Sequence, residues 1–246
     1  MKTLTEKVIL VTGAAKGIGA IVALQLAEAG ARLIINYVGS KADADNVVGQ
    51  IKAKGSDAIA VQGDVTKPAD VKGLFDAGIA KFGRIDVLVN NAGMMITKPL
   101  KDMTDDDFTR QFEVNVRGTF NTMREAATRL ADNGTIINTS TSNLRLMVPT
   151  YSVYAASKSA VEQMTRVFAK EIGSRGINVN AIAPGPTNTD LFSKGKTQEV
   201  IDRFKSMSAF NRLGEPIDTA RVVVFLASDD AKWISGQSIG VNGAFA

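Results

Sequence analysis

A tyrosine and a lysine four positions apart are the residues of this 246-residue chain whose types and spacing point most directly to chemistry. Tyr154 and Lys158 lie in the run YSVYAASKSAVEQM, and on a helix they share one face with their polar ends adjacent. An ammonium beside a phenol favours the phenolate, so it lowers a phenol pKa that is ordinarily about 10. The pair therefore predicts proton transfer near neutral pH.

The composition restricts the other chemistry that the chain can perform. It contains no histidine, which removes the usual general base, the serine–histidine nucleophilic pair and the commonest metal ligand. It also contains no cysteine, so disulfides and thiolate metal sites are excluded. Acid–base work must therefore come from Tyr, Lys, Asp or Glu, and no metal site is expected.

A glycine-rich turn near the N-terminus is the second feature with chemical meaning. The apolar run 8–11 is followed by Thr12 and then by Gly13, Gly17 and Gly19, in the spacing T-G-x-x-x-G-x-G. Glycine permits positive φ and close approach of a ligand, and a helix that begins here directs backbone N–H groups at a pyrophosphate. The turn predicts a dinucleotide site, although a glycine-rich turn without a ligand has the same pattern.

Short apolar runs alternate with helix-length segments along the whole chain. Strands are predicted at 8–11, 32–37, 58–61, 86–89, 135–139, 177–182 and 238–241, and helices at 18–29, 41–54, 68–82, 105–130 and 153–172. The pattern predicts an α/β fold: a Rossmann-type, doubly wound parallel sheet with helices on both faces, in a single domain over 1–246.

Ligands of such a sheet bind at the carboxyl ends of its strands, near the point where the strand order reverses. The residues that follow the predicted strands should therefore form one rim. They are Gly13, Asn36, Asp64, 90–93, 140–142 and 184–185.

Six motifs in one order identify a family. They are T-G-x-x-x-G-x-G from Thr12, N-N-A-G at 90–93, Asn115 in N-V-R-G, the hydroxyls at 140–142, Y-x-x-x-K from Tyr154 and Pro184-Gly185. Together they resemble the short-chain dehydrogenase/reductase family over essentially all of the chain. The resemblance implies an NAD(P)-dependent oxidoreductase.

The resemblance also implies a role for each catalytic candidate. Tyr154 resembles the acid that protonates a carbonyl oxygen as hydride arrives, and Lys158 the residue that lowers the tyrosine pKa and holds the nicotinamide ribose. Asn115 resembles the helix residue that keeps a water in the proton relay. The family serine that binds the substrate carbonyl usually lies thirteen residues before the tyrosine, which gives Thr141. Ser140 takes that role if the following loop is one residue longer, and Thr141 is slightly favoured.

The cofactor predicted on this resemblance is NADP, with NADPH bound more tightly than NADH. An acid after the second strand would hold a ribose 2′-hydroxyl and repel a 2′-phosphate, but 36–41 reads NYVGSK, and Lys16 adds a cation nearby. The predicted cofactor residues are Gly13, Ala15, Lys16, Gly17, Ile18, Asn36, Tyr37, Ser40, Asp64, Val65, Asn91, Ala92, Gly93, Tyr154, Lys158, Pro184, Gly185 and Thr187.

The segment 187–213 resembles the family's lid over the substrate, and it carries Phe192, Phe204, Met207 and Phe210 as candidate apolar walls. The predicted reaction is reduction of a small-molecule ketone or a 3-oxoacyl thioester. A sugar or secondary-alcohol dehydrogenase is the alternative. A non-enzymatic nucleotide sensor is a third possibility, against which the intact Y-x-x-x-K pair argues.

Charge and hydropathy bear on partners and location. Lysines and arginines are scattered among acids without interleaved aromatics, which argues against nucleic-acid binding. No apolar run approaches the length of a membrane span, and the apolar segment at the N-terminus is too short for a signal peptide, so a cytoplasmic protein is expected. The resemblance implies a homotetramer built partly on the helices 105–130 and 153–172.

Overall fold

The computed structural model describes residues 3–246 and contains a sheet of seven parallel strands in the order β3-β2-β1-β4-β5-β6-β7. The strands are β1 Val8–Val11, β2 Arg32–Tyr37, β3 Ala58–Gln62, β4 Val87–Asn90, β5 Thr135–Thr139, β6 Asn178–Pro184 and β7 Ser238–Val241. The strand order reverses between β1 and β4, which is where a ligand site is expected in a sheet of this kind.

Ten α-helices connect and cover the strands of the described chain. They are α1 Gly17–Glu28, α2 Lys41–Ala53, α3 Pro68–Phe82, α4 Asp105–Phe112, α5 Gly118–Arg129, α6 Asn143–Leu146, α7 Ser152–Ile172, α8 Asp190–Ser193, α9 Gln198–Met207 and α10 Pro216–Ala227. Among residues 3–246, no helix combines the length and the apolar character that crossing a membrane requires.

The central strand β1 shows why the sheet is covered on both faces. Its four residues are all fully buried, and alternate side chains of a strand point to opposite faces. Ile9 and Val11 pack in the core formed with α1, α2 and α10. Val8 and Leu10 pack in the core formed with α3, α5 and α7. The predicted α/β fold with helices on both faces is confirmed.

The helix predicted over 105–130 is interrupted by one π-helical turn. The turn Glu113–Arg117 separates α4 from α5. Such a turn inserts one extra residue into a helix and is frequent at functional sites. Asn115 lies in its middle and is fully buried, so the interruption coincides with a predicted catalytic residue.

The helix α10 was not predicted, although the sequence contains its start signals. Pro216 occupies the first turn, and Glu215 and Asp218 form a reciprocal capping box. Its buried face packs with α1 in the first of the two cores. It thereby supports the helix that follows the glycine turn.

The predicted lid contains two helices, α8 and α9, joined by aromatic contacts. The ring centroids of Phe192 and Phe204 lie 5.2 Å apart in an edge-on arrangement. Phe204 in turn stacks on Phe245, with the centroids 6.1 Å apart. These contacts attach the lid to the C-terminal segment of the chain.

Candidate active site

A cavity of about 1000 Å³ runs along the carboxyl edge of the sheet, from the glycine turn to the lid. The predicted site residues that line it are Gly13, Ala15, Lys16, Gly17, Ile18, Tyr37, Ser40, Asp64, Val65, Asn91, Ala92, Gly93, Ser140, Thr141, Tyr154, Lys158, Pro184, Gly185 and Thr187. The fold therefore brings together in one cavity residues that are far apart in the sequence.

Two predicted site residues, Asn36 and Asn115, do not line the cavity but hydrogen-bond to residues that do. Asn36 is fully buried, accepts a hydrogen bond from the Gly13 N–H at 3.1 Å and donates to the Gly63 carbonyl at 2.8 Å. Asn36 does not line the cavity, and its contact with a cofactor stays a prediction. Its amide is already used to hold the glycine turn against the neighbouring strands.

The glycine turn is shaped by close contacts on one side and open space on the other. Gly13 has φ of +60°, and a Cβ added there would lie 2.9 Å from the Ala92 Cα. Gly17 has φ of +59°, but the nearest atom to its added Cβ is a Thr189 methyl 3.9 Å away. The N-terminus of α1 is thus left open for an anionic group. These residues fit the pyrophosphate of a dinucleotide.

The loop after β4 is tied to the same turn by a threonine and an asparagine. The Thr12 hydroxyl oxygen accepts hydrogen bonds from the N–H groups of Asn91 and Ala92, both at 3.0 Å. The Asn91 side-chain amide donates to the carbonyls of Thr12 and Gly13, both at 3.0 Å. These hydrogen bonds therefore fix the glycine turn and the N-N-A-G loop to each other.

Sequence analysis missed Asp43, which lines the cavity near the start of α2. Ser40 caps α2, and its hydroxyl accepts a hydrogen bond from the Asp43 N–H at 3.1 Å. Asp43 and Lys16 line the cavity there. The sequence search for an acid stopped at residue 41, and the helical turn that follows returns residue 43 to the site.

Tyr154 and Lys158 lie one turn apart on α7 and both line the cavity, as predicted. The Lys158 ammonium is 6.0 Å from the centre of the Tyr154 ring and donates a hydrogen bond to the Thr139 carbonyl at 2.8 Å. Thr141 also lines this wall, and its hydroxyl acts on the Tyr154 phenol to lower the phenol pKa. A hydroxyl pair is therefore present at the cavity wall, beside a buried ammonium.

The pKa values of this pair are governed by burial. Burial raises the pKa of Tyr154 to about 12, the Thr141 hydrogen bond opposes that shift and Tyr151 adds to it. Burial lowers the pKa of Lys158 to about 8. The expectation that Lys158 favours a Tyr154 phenolate is not met in this arrangement. Tyr154 instead keeps its proton at neutral pH, which is the form that a proton donor requires.

The structure distinguishes the surroundings of Ser140 and Thr141. The Ser140 hydroxyl is 2.8 Å from a carboxylate oxygen of Glu162, to which it donates, and Ser140 is almost fully buried. Thr141 is the residue that contacts Tyr154. This geometry favours Thr141 as the hydroxyl that meets a substrate. Sequence analysis did not single out Glu162, which contacts Ser140 from α7.

Asn115 connects the loop after β4 to α7. Its side-chain oxygen accepts from the Met94 N–H at 2.9 Å, and its amide donates to the Met94 carbonyl at 2.9 Å and to Ser157 at 3.0 Å. The Ser157 hydroxyl donates to the Tyr154 carbonyl at 2.7 Å. Asn115 therefore orients the helix that carries the tyrosine. Its role in a proton relay stays a prediction.

The lid side of the cavity is apolar and aromatic. Phe192 and Phe204 line it as predicted, whereas Met207 and Phe210 do not. Phe245 also lines it and was missed, because only its stacking on Phe204 brings it there. Further apolar lining residues are Met94, Met95, Val148, Tyr151 and Leu191.

The parallel sheet, the glycine turn at its switch point and the tyrosine–lysine pair define an oxidoreductase of the nucleotide-binding α/β class. The chain belongs to the short-chain dehydrogenase/reductase family. A family model described as enoyl-(acyl carrier protein) reductase matches residues 13–245. The predicted family is confirmed.

Individual relatives are reductases. The chain is 44% identical to versicolorin reductase stcU of Emericella nidulans over 98% of this chain and 96% of that protein. It is 40% identical to a probable tetrahydroxynaphthalene reductase of Zymoseptoria tritici, over 98% and 95% of the two chains. The solved structure of the angucycline C-6 ketoreductase LanV with bound NADP superposes with a TM-score of 0.94 at 36% identity, covering 99% of this chain and 96% of that one.

Proposed function

We propose that this protein reduces a ketone to a secondary alcohol with NADPH, and that Tyr154 is the proton donor. One observation carries the proposal: Tyr154 and Thr141, two residues with hydroxyl groups, line the wall of the same cavity as the open glycine turn. Two hydroxyls on one cavity wall suit a carbonyl oxygen, because both can donate to it while negative charge develops.

Each residue of the site has a defined task in this reaction. NADPH, when bound, supplies the hydride that adds to the carbonyl carbon. Tyr154 transfers its phenolic proton to the carbonyl oxygen, and the hydrogen bond from Thr141 holds that oxygen beside it. Lys158 lines the same cavity with its ammonium 6.0 Å from the Tyr154 ring centre, and the family resemblance implies that it would hold the nicotinamide ribose. Asn115 keeps α7 in register with the loop after β4.

The preference for NADPH rests on the end of the cavity beside β2. Lys16 lines that end, Ser40 caps α2 there, and no acid occupies residues 36–41. A cation and a helix N-terminus both favour a phosphate. Asp43 is the one acid of α2 in the cavity lining, and its negative charge disfavours a phosphate there. LanV, a structural relative, was solved with NADP.

The substrate proposed is a bulky aromatic ketone. The aromatic side chains Tyr151, Phe192, Phe204 and Phe245 line the cavity, and flat rings pack favourably against such walls. The names of two relatives, versicolorin reductase and tetrahydroxynaphthalene reductase, refer to fused-ring aromatic compounds. A 3-oxoacyl thioester is the second ketone candidate, which the description of the matching family model supports.

Initial rates of NADPH consumption test this function. We expect a fused-ring aromatic ketone such as a tetralone to be reduced faster than an aliphatic β-ketoester or a 3-oxoacyl thioester. We also expect NADPH to exceed NADH by at least about tenfold in kcat/KM, a difference of about 1.4 kcal/mol. Faster oxidation of polyols with NADP, or equal rates with NADH, would contradict the proposal.

We also propose that the protein is a cytoplasmic homotetramer. Two separate faces of the chain expose large apolar side chains: Phe120 and Val167 on α5 and α7, and Phe225 and Trp233 near α10 and β7. Trp233 is 100% exposed, which is uncommon for this residue on a monomer surface. A mass in solution of four times the 26.1 kDa of the chain supports the proposal, and a monomeric mass contradicts it.

A further inference from the structure

Three consecutive residues at the end of β5, 139–141, each interact with a different side chain of α7. Lys158 donates to the Thr139 carbonyl at 2.8 Å, and Thr141 lines the cavity with Tyr154 and acts on its phenol. The middle residue, Ser140, donates its hydroxyl hydrogen bond to the carboxylate of Glu162 at 2.8 Å. Residues 154, 158 and 162 are spaced by one helical turn and therefore share one helix face.

Glu162 is a partly buried carboxylate whose oxygens both have hydrogen-bond donors. One oxygen accepts from the hydroxyls of Ser140 at 2.8 Å and of Ser238 at 2.6 Å. The other oxygen accepts from Arg166 at 3.0 Å. The Glu162 side chain is only 12% exposed, and a carboxylate in such a position is tolerated when it is paired and hydrogen-bonded. Glu162 thereby joins α7 to both β5 and β7.

Ser140 has little freedom while this contact is present. Its N–H donates to the Ile182 carbonyl at 2.7 Å, so backbone and side chain are both fixed. The peptide units on either side of Ser140 belong to Thr139, which accepts from Lys158, and to Thr141, which contacts Tyr154. A shift of Ser140 would therefore move the partners of both catalytic side chains at once.

We propose that Glu162 is a positioning residue for the reaction: by fixing Ser140, it sets the distance of the Thr141 hydroxyl and the Thr139 carbonyl from Tyr154 and Lys158. The inference rests on the proposed function, since it assigns a means of alignment to that same site. Glu162 acts through Ser140 and does not itself belong to the cavity lining given above.

Three variants test the inference in the full-length protein: Glu162→Ala, Glu162→Gln and Glu171→Ala. The last removes an exposed carboxylate from the same helix and is the matched control. The measurements are kcat and KM for the ketone, the NADPH dissociation constant by fluorescence, and the melting temperature.

We expect Glu162→Ala to lower kcat by at least about tenfold, because a small misplacement of reacting groups has large kinetic effects. The NADPH dissociation constant should change far less, because the glycine turn is untouched. Glu162→Gln should restore most of kcat, since an amide oxygen still accepts from both serine hydroxyls. Glu171→Ala should match the wild type.

Two further variants guard against a folding defect in Glu162→Ala. Ser140→Ala removes the same contact from the other side, and we expect it to lower kcat by a similar factor, whereas Ser238→Ala should lower it less. Equal kcat in Glu162→Ala and Glu171→Ala would overturn the inference. So would a Glu162→Gln variant as slow as Glu162→Ala, or an unaffected Ser140→Ala. Absence of ketone turnover in the wild-type protein would overturn the proposed function. The variant results above overturn only the role of Glu162, so the two failures are distinguishable.

Discussion

Replacing Tyr154 by phenylalanine should lower kcat for ketone reduction by about a thousandfold and leave NADPH binding within a few-fold of the wild type. The substitution removes only the hydroxyl, and a positioned proton donor contributes about 10²- to 10⁴-fold to a rate. Because burial raises the pKa of Tyr154 to about 12, the donor is fully protonated at neutral pH. The measurement is steady-state kinetics together with a fluorescence titration of NADPH.

Tyr151 provides a matched control for this substitution. It is a second tyrosine of the cavity lining, and its ring lies 6.2 Å from that of Tyr154 in an edge-on arrangement. Tyr151→Phe removes the same atom from a neighbouring position and should lower kcat by less than about tenfold. A Tyr154→Phe protein as active as Tyr151→Phe would show that the proton comes from elsewhere.

The second large effect is expected at Thr141. Thr141→Val preserves the shape of the side chain but removes its hydroxyl, and the loss of one donor to a developing oxyanion lowers kcat by about 10²- to 10³-fold. Thr141→Ser keeps the donor and should stay within about tenfold of the wild type. Comparison of the two in one kinetic series separates the effect of the hydroxyl from that of the methyl group.

Ser140→Ala completes this series, since sequence analysis left Ser140 as the alternative. It should be less damaging than Thr141→Val, because the Ser140 hydroxyl is directed at Glu162. A Thr141→Val variant faster than Ser140→Ala would reverse the assignment and make Ser140 the residue that binds the carbonyl.

The strands were the most predictable part of the fold. The predicted ranges 8–11, 32–37, 135–139 and 238–241 coincide with β1, β2, β5 and β7. Strands of a parallel sheet with both faces covered appear as short apolar runs bounded by turns, and this signal is local. The same is true of the glycine turn and of the tyrosine–lysine spacing on α7.

The parts that were missed depend on contacts between distant residues. The sequence does not show that the Asn36 side chain joins Gly13 to Gly63. Glu162 resembles any charged residue of an amphipathic helix until Ser140 and Ser238 are placed beside it. Phe245 reaches the cavity only through the lid.

The pKa of Tyr154 also depends on a feature that the sequence does not show. The neighbouring ammonium is visible in the sequence and predicts a lower phenol pKa. Burial is not visible there, and it raises the pKa to about 12, while the Lys158 ammonium is directed at the Thr139 carbonyl. Desolvation raises the Tyr154 pKa because it disfavours the charged phenolate.

The central claim is that hydride passes from NADPH to a carbonyl carbon in the cavity beside Tyr154. Its most direct test is the fate of the isotope when NADPH carries deuterium at either of the two C4 positions and the alcohol product is analysed by mass spectrometry. We predict that one of the two labelled cofactors delivers a single deuterium to the carbinol carbon and that the other delivers none. An alcohol that carries no deuterium with either labelled cofactor, or no alcohol at all, would contradict the account.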